Sequence, residues 1–486
     1  MDHDTTSEAR AGVGRRAFLQ AGALAGLAVA TPRGVARVRR GGATPERARN
    51  VILMVSDGMS TGTLTLAHMA KLRREGRPSA WVALWARPGV RRAMATTFAA
   101  DSLVTDSAAA ATAWGSGRTV NFGQVNVTPE GLAPTPILPH AAQQGKATGL
   151  VTTTRITHAT PAGFVANVPT RGMEKEIAAQ ILERGVDVAL GGGARSFPAE
   201  LLAAHGEVEV VRTSAALRGA EEGKRLLGLF AASHLPFEID RPDEVPTLRE
   251  MTRVALSRLS RSGREGFVLQ VEGGRVDHAA HSNDAGALVG DQLAFDEAIE
   301  EVLSFVEGRD DTLVIVTTDH GNANPGLTMY QERGNEAFGR LLNVGGSFEE
   351  VERRFAGVAR DDAGAEGRLR TIVEEVIGVR LSEAEMGLLM RAVRRERVAL
   401  FGDSNHPMTV LGGLLTNHLG VGFASGNHTA DLVEVTAFGP GSEGVGGLIS
   451  NTDLHGVMVG ALGLGPAERI RGQAERVEPV RTNGSD

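Results

Sequence analysis

Short, continuous apolar runs recur along the chain, and each stops at a polar or glycine-rich turn. Strands that are buried on both faces of a parallel sheet typically have this pattern. Segments with helical spacing, such as 172–184 and 290–306, lie between the runs. The alternation predicts an α/β fold, a three-layer α/β/α sandwich around a central, mostly parallel sheet. The predicted strands are 51–55, 149–151, 186–190, 267–271 and 313–316.

Residues 335–425 depart from this alternation. Ser382 and Glu385 form a capping-box pattern before a helix that is expected to run to about Arg397. The glycine-rich stretch 412–426 is expected to return the chain to the sheet. We therefore predict one domain, 49–480, with a mainly helical insertion at 335–425. Three roles are open for this insertion. It is a crown that covers the site, an element of a dimer interface, or a passive surface insertion.

The N-terminal segment has the features of an export signal. Arg15 and Arg16 precede an Ala/Leu/Gly run that is too short and too weakly apolar to span a bilayer well, and Ala28-Val29-Ala30 fits a cleavage site. The pattern is similar to a twin-arginine signal peptide over 1–30, with a basic linker at 31–48. We expect export to the periplasm or the extracellular space, without a stable membrane anchor.

Composition narrows the chemistry. The chain of 486 residues has no cysteine, which excludes disulfides, thiolate metal sites and a cysteine nucleophile. A net charge of −7 and 4% aromatic residues argue against nucleic-acid binding. Any metal site must therefore use histidine, carboxylate and hydroxyl ligands.

Residues of metal-ligand type follow three of the predicted strands. The carboxyl ends of parallel strands meet at one edge of a sheet, where ligands bind. Asp277 and His281 are four residues apart and share a face if that stretch is helical. Zinc needs three or four such nitrogen and oxygen ligands. The residues in question are Asp57, Glu272, Asp277, His281, Asp319 and His320, with His428 in a later glycine-rich segment.

Ser107 precedes an alanine-rich stretch with high helix propensity. Thr105 or Asp106 can cap this helix, which places Ser107 at an N-terminus that favours anions. No G-x-S-x-G elbow surrounds it, so an esterase-type triad is disfavoured. Taken alone, Ser107 is either a nucleophile activated by a base or a metal, or another cap residue.

Six motifs together resemble the alkaline phosphatase family over about 50–330 and 425–460, in the family's order and spacing. The resemblance implies hydrolysis of small phosphate monoesters through a phosphoseryl intermediate, two Zn²⁺ and one Mg²⁺ per subunit, and a homodimer. The motifs are V-S-D-G-M (55–59), V-T-D-S-A-A-A-A-T-A (104–113), H-A-T-P-A (158–162), V-E-G-G-R-V-D-H-A-A-H (271–281), T-T-D-H-G (317–321) and G-N-H-T (426–429).

The resemblance also implies a role for each matching residue. Ser107 is the nucleophile, and Arg171 clamps phosphate oxygens, a task suited to its bidentate guanidinium. The first zinc is bound by Asp277, His281 and His428. The second zinc is bound by Asp57, Asp319 and His320, and the magnesium by Asp57, Glu272 and Thr160.

Two positions differ from the best-known bacterial form, which has Asp at His158 and Lys at His278; the animal enzymes resemble this chain at both. These two histidines are expected next to the metal ligands, and a neutral His158 implies a weaker magnesium site. The other histidines, His234 among them, match no family role. One alternative is a phosphodiesterase or phosphonate hydrolase of the same superfamily, which usually has a threonine nucleophile. Another is a non-catalytic binding protein, which would have lost Ser107, Arg171 or a ligand.

Overall fold

One large sheet of ten strands organises the described residues, which are 47–360, 362–399 and 402–468 of this computed structural model. The predicted signal peptide, 1–30, lies outside the described residues, as does nearly all of the predicted linker. The strands are β1 (Asn50–Val55), β2 (Arg91–Thr96), β3 (Ala147–Arg155), β4 (Val188–Gly192), β5 (Val208–Val211), β6 (Arg225–Leu229), β7 (Phe267–Glu272), β8 (Thr312–Thr317), β9 (Gly321–Asn322), β10 (Gly326–Leu327), β11 (Val421–Gly422), β12 (His428–Thr429), β13 (Val433–Phe438) and β14 (Gly447–Ser450).

The large sheet has the order β14-β2-β13-β8-β1-β7-β3-β4-β6-β5. Strand β13 runs antiparallel to both of its neighbours, and the other pairings are parallel. The prediction of a mostly parallel sheet is therefore confirmed. The four central strands β8, β1, β7 and β3 are all among the predicted ones.

Helices cover both faces of this sheet. They are α1 (Thr61–Glu75), α2 (Ala80–Leu84), α3 (Ser107–Ser116), α4 (Ile137–Gln143), α5 (Ala159–Val165), α6 (Glu174–Glu183), α7 (Ala199–Ala203), α8 (Ser214–Arg218), α9 (Leu248–Ser260), α10 (Arg275–His281), α11 (Ala285–Phe305), α12 (Gln331–Leu341), α13 (Phe348–Phe355), α14 (Ala365–Ile377), α15 (Glu383–Val393), α16 (Pro407–Leu419) and α17 (Asp453–Leu462). Short 3₁₀ turns lie at Ala194–Ser196, Glu238–Asp240, Gly402–Ser404 and Ser442–Gly444.

Alternate residues of β1 enter different cores. Val51, Leu53 and Val55 pack with α3, α4, α5 and α17 on one face. Ile52 and Met54 pack with α9 and α11 on the other. Each strand residue is buried because helices cover both faces. The predicted three-layer sandwich is confirmed. In the described part of the chain, no helix is long and apolar enough to cross a membrane.

The insertion is mainly helical, as predicted, but two of its details differ. The capping box of Ser382 and Glu385 is present, yet helix α15 ends at Val393 rather than near Arg397. The stretch predicted to return to the sheet begins inside α16, which ends only at Leu419. A Cβ on Gly412 would lie 2.5 Å from the Asn283 carbonyl oxygen. This glycine therefore lets α16 pack closely against the turn between α10 and α11 instead of marking a loop.

Helix α3 is held close to α5. All of its residues are buried, and a Cβ on Gly115 would lie 1.9 Å from the carbonyl oxygen of Gly163. Only glycine allows two backbones to approach so closely. The packing fixes the first residue of α3, Ser107, relative to the end of β3.

Candidate active site

The predicted site residues gather at the carboxyl edge of the central strands. Asp57 follows β1, and Glu272 is the last residue of β7. Asp277 and His281 lie on α10, directly after β7. Of the remaining predicted residues, Ser107, His158 and Thr160 lie at helix starts, and Asp319 and His320 follow β8. His278 lies within α10, Arg171 in the loop between α5 and α6, and His428 in the short strand β12. The fold therefore brings together segments that are far apart in the chain.

Two imidazoles face each other beside Asp277. The Nε2 atoms of His281 and His428 are 3.0 Å apart. Each Nδ1 lies within hydrogen-bonding distance of a carbonyl oxygen, that of Gly426 at 2.7 Å and that of Thr105 at 2.8 Å. Since a carbonyl only accepts, each Nδ1 carries the hydrogen and each Nε2 presents a lone pair. Two lone pairs this close require a proton or a cation between them.

The carboxylate of Asp277 completes this first cluster. Its oxygens lie 3.3 Å from Nε2 of His281 and 3.4 Å from Nε2 of His428. Asn322 Nδ2 donates to the same carboxylate over 2.7 Å and orients it. Gly58, with φ of +69°, permits the approach, because a Cβ there would lie 2.5 Å from Asp277 Oδ1. One ligand atom from each of Asp277, His281 and His428 fits within a 4.8 Å span.

A second cluster surrounds the nucleophile candidate. Asp106 caps α3 by accepting from the Ala109 amide, and Ser107 is the first residue of the helix. The Ser107 Oγ lies 3.4 Å from Nε2 of His320. That nitrogen is also 3.1 Å from Asp319 Oδ2 and 3.6 Å from Asp57 Oδ1. Ser107 therefore shares a buried pocket with two carboxylates and an imidazole.

Asp57 connects the second cluster to a third. Its side chain is fully buried, and neither carboxylate oxygen has a hydrogen-bond partner among the described residues. A nitrogen of His158 and carboxylate oxygens of Asp57 and Glu272 lie within 4.8 Å of one another. Glu272 Oε1 and Thr160 Oγ1 are also buried without a partner in the described chain. These unpaired oxygens form the cradle that a hard cation requires.

Burial and neighbouring charges shift the pKa values of several side chains in these clusters. Burial, with the charges of Asp319 and Asp277, raises the pKa of Asp57 well above its usual range. Burial also raises the pKa of Glu272 to about 7. Burial disfavours the charged form of His281, but the Asp277 carboxylate outweighs it and raises the pKa of His281 to about 9. Cation binding at these groups would therefore release protons.

Arginine and histidine side chains line the other side of the pocket. Arg171 donates to Asp106 Oδ2 and to His158 Nε2, each over 2.9 Å. A guanidinium has no acceptor, so His158 keeps its hydrogen on Nδ1 and cannot ligate a cation through that atom in this arrangement. Burial and the Arg171 charge lower the pKa of His158 well below its usual range. The ring of His278 lies 5.6 Å from that of His158.

Comparison with known proteins assigns the chain to a family. A family model described as alkaline phosphatase matches residues 48–464. The chain belongs to the alkaline phosphatase family. It is similar to alkaline phosphatase 3 of Bacillus subtilis (29% identity, 84% of this chain and 87% of the relative). It also resembles the repressible alkaline phosphatase of Saccharomyces cerevisiae (30% identity, 80% and 76%).

A solved structure supports the same assignment. The alkaline phosphatase of Thermus thermophilus superimposes with a TM-score of 0.80 at 36% identity, over 87% of this chain and 93% of that one. Like its family, this alkaline phosphatase is a metal-dependent enzyme that hydrolyses phosphate monoesters. The expected activity is confirmed.

The sequence analysis missed several residues of this alkaline phosphatase site. The ring of His234 lies 4.3 Å from that of His278 and 5.4 Å from that of His158, and its Nε2 contacts Arg155 Nη1. Burial and the neighbouring His278 lower the pKa of His234. Hydroxyls of Thr152 and Thr154 at the end of β3 donate to Glu272, and Asn322 directly follows the T-T-D-H-G motif. Thr152 and Thr154 follow the predicted strand 149–151, so the position of a strand end is the sequence signal for these hydroxyls.

Proposed function

We propose that this alkaline phosphatase acts through a phosphoseryl intermediate on Ser107, in a centre that binds two Zn²⁺ and one Mg²⁺. The observation that carries the proposal is the pair of facing imidazole lone pairs on His281 and His428, 3.0 Å apart beside Asp277. Only a cation or a shared proton relieves that contact. A metal ion fits the histidine and carboxylate donors of this cluster.

The donor sets support an assignment of ions. Asp277, His281 and His428 would hold one zinc, and Asp57, Asp319 and His320 the other. The oxygen set of Asp57, Glu272 and Thr160 suits magnesium. His158, whose Nε2 accepts from Arg171, would lie beside the magnesium ligands without binding the ion. When bound, the ions supply Lewis-acid stabilisation of the attacking and leaving oxygens.

The chain's own residues would carry two displacements. The Ser107 hydroxyl gives up its proton as Oγ forms a bond to phosphorus. The bond from phosphorus to the alcohol oxygen breaks in the same step, and the alcohol leaves carrying a proton. Water then attacks the phosphoserine, which releases inorganic phosphate and restores the serine hydroxyl. Two in-line displacements predict retention of configuration at phosphorus.

Arg171 would bind the phosphoryl oxygens during both displacements. Its guanidinium is already held by Asp106, the N-cap of α3, and by His158, so it needs little ordering when substrate arrives. The free amides at the N-terminus of α3 favour the same negative charge. Planar, paired donors match phosphate geometry better than a lysine ammonium would.

Metal analysis with reconstitution tests this proposal. We expect the purified enzyme to hold about two zinc ions and one magnesium ion per chain. Stripped protein should recover monoester turnover only when both metals are restored. Full activity with a single ion per chain would contradict the assignment of three sites.

We also propose export through the twin-arginine route, with the chain acting as a homodimer outside the cytoplasm. Arg15→Lys with Arg16→Lys is expected to abolish export of the precursor, because the receptor reads this pair. Arg39→Lys with Arg40→Lys, an adjacent pair in the linker, is the matched control. If cell fractionation showed that both double variants are exported as well as the wild type, the twin-arginine assignment would be refuted.

A further inference from the structure

We propose that the helical insertion is a working part of the active site, because Glu349 holds Arg275 and Arg275 fixes the orientation of His278. Arg275 and Glu349 are then positioning residues. Without this link, the insertion would be a passive surface feature. The inference rests on the proposed function, because His278 bears on catalysis only if its neighbours Asp277 and His158 line the reacting centre.

Arg275 occupies the centre of this connection. It is the first residue of α10, between Glu272 and the Asp277 cluster, and only 3% of its surface is exposed. Its Nη2 lies 2.6 Å from Glu349 Oε1, and its Nη1 lies 2.8 Å from Nδ1 of His278. The guanidinium also lies over the ring of Phe237, 3.7 Å from the ring centre. A buried cation held at three points has little freedom to move.

The contact with Arg275 determines which nitrogen of His278 carries the hydrogen. Guanidinium groups only donate, so His278 Nδ1 accepts and Nε2 carries the hydrogen. The ring is also held by the edge-to-face neighbour His234 at 4.3 Å. Without Arg275, the imidazole can rotate or exchange tautomers, and its donor direction is no longer fixed.

Glu349 is itself held in place by the start of α13. The Phe348 amide donates to Asp284 Oδ2 over 2.6 Å, and the Ser347 amide donates to Asp240 Oδ1 over 3.1 Å. These bonds attach two consecutive residues at the start of α13 to the main domain. Glu349 therefore reaches Arg275 from a rigid backbone, although its side chain is 54% exposed.

The neighbouring glutamate provides a matched control. Glu350 lies on the same helix but pairs with Arg353 and Arg354 of its own helix. We expect Glu349→Ala to lower kcat on a chromogenic phosphate monoester about tenfold. This is the lower end of the range for removing a side chain that orients a residue of the site. Metal content and KM should change little. Glu350→Ala should leave kcat unchanged.

A double-mutant cycle separates positioning from simple destabilisation. In a His278→Ala background, Glu349→Ala should have no further effect on kcat, because the residue through which it acts is gone. Hydrogen exchange of α10 in the metal-loaded enzyme should rise in Glu349→Ala and not in Glu350→Ala. An equal kcat in the two single variants, or a full Glu349 effect without His278, would overturn the proposal. Turnover without phosphorylation of Ser107 would instead contradict the proposed function, and the exchange comparison would still test the link.

Discussion

Replacing Ser107 by alanine is expected to reduce monoester turnover by at least about a thousandfold, because the group that forms the bond to phosphorus is removed. The backbone should tolerate the change, since Ser107 lies in helix α3 and alanine is the best helix former. Metal content should remain near the wild-type value because the carboxylates and histidines are intact. The comparison is made by steady-state kinetics on a chromogenic monoester at saturating zinc and magnesium.

Ser116 provides the control for this substitution. It is also buried in α3, where its hydroxyl donates to the Thr112 carbonyl, far from the strand-end cluster along the helix. Ser116→Ala should keep kcat within about twofold of wild type, as expected for a substitution away from the chemistry. If Ser107→Ala retained turnover within tenfold of wild type, the hydroxyl could not be the nucleophile.

Removing the metal ions is expected to abolish turnover and to make stability depend strongly on pH between about 7 and 9. In the metal-free chain the Asp277 charge overcomes burial and raises the pKa of His281 to about 9. The Asp319 charge likewise overcomes burial and raises the pKa of His320. A raised histidine pKa contributes stability that is fully present below the unfolded value and is lost as pH rises through the folded value. The metal-free protein should therefore weaken on going from pH 7 to pH 9.

The metal-loaded enzyme should show a smaller decline over the same range. Bound cations require neutral imidazoles and ionised carboxylates, so raising the pH does not remove a stabilising proton from the site. Asp291, whose pKa burial raises to about 8, lies outside the metal clusters and should contribute equally to both forms. Thermal unfolding of chelated and loaded protein at three pH values measures the difference. Parallel curves for the two forms would show that the clusters do not bind metal.

Strand burial explains which parts of the fold the sequence predicts. Strands β1, β3, β7 and β8 are central and buried on both faces, so each is preceded and followed by a clear change in polarity. Strand β2 and strand β14 lie at one end of the sheet and have mixed burial, so they carry no continuous apolar run. Gly228 interrupts the apolar run of strand β6, so the sequence pattern does not predict that strand.

Because the sequence pattern does not predict strand β6, it does not point to His234 either. His234 lies in the loop that follows β6, so no predicted strand end pointed to it. Asp57 and Asp319, by contrast, lie just after predicted strands, so the sequence pattern points to them. The link from Glu349 to Arg275 joins an insertion to a motif 74 positions away along the chain, and local sequence gives no signal for such a pairing. Only the packed structure reveals it.

The most direct test of the central claim is to trap the phosphorylated enzyme. Metal-loaded protein is mixed with labelled monoester, quenched in acid within one turnover, digested and sequenced by mass spectrometry. The account predicts one phosphate per active site, on Ser107, and none in Ser107→Ala. Recovery of the label on another residue, or rapid turnover with no labelled protein at any quench time, would contradict it.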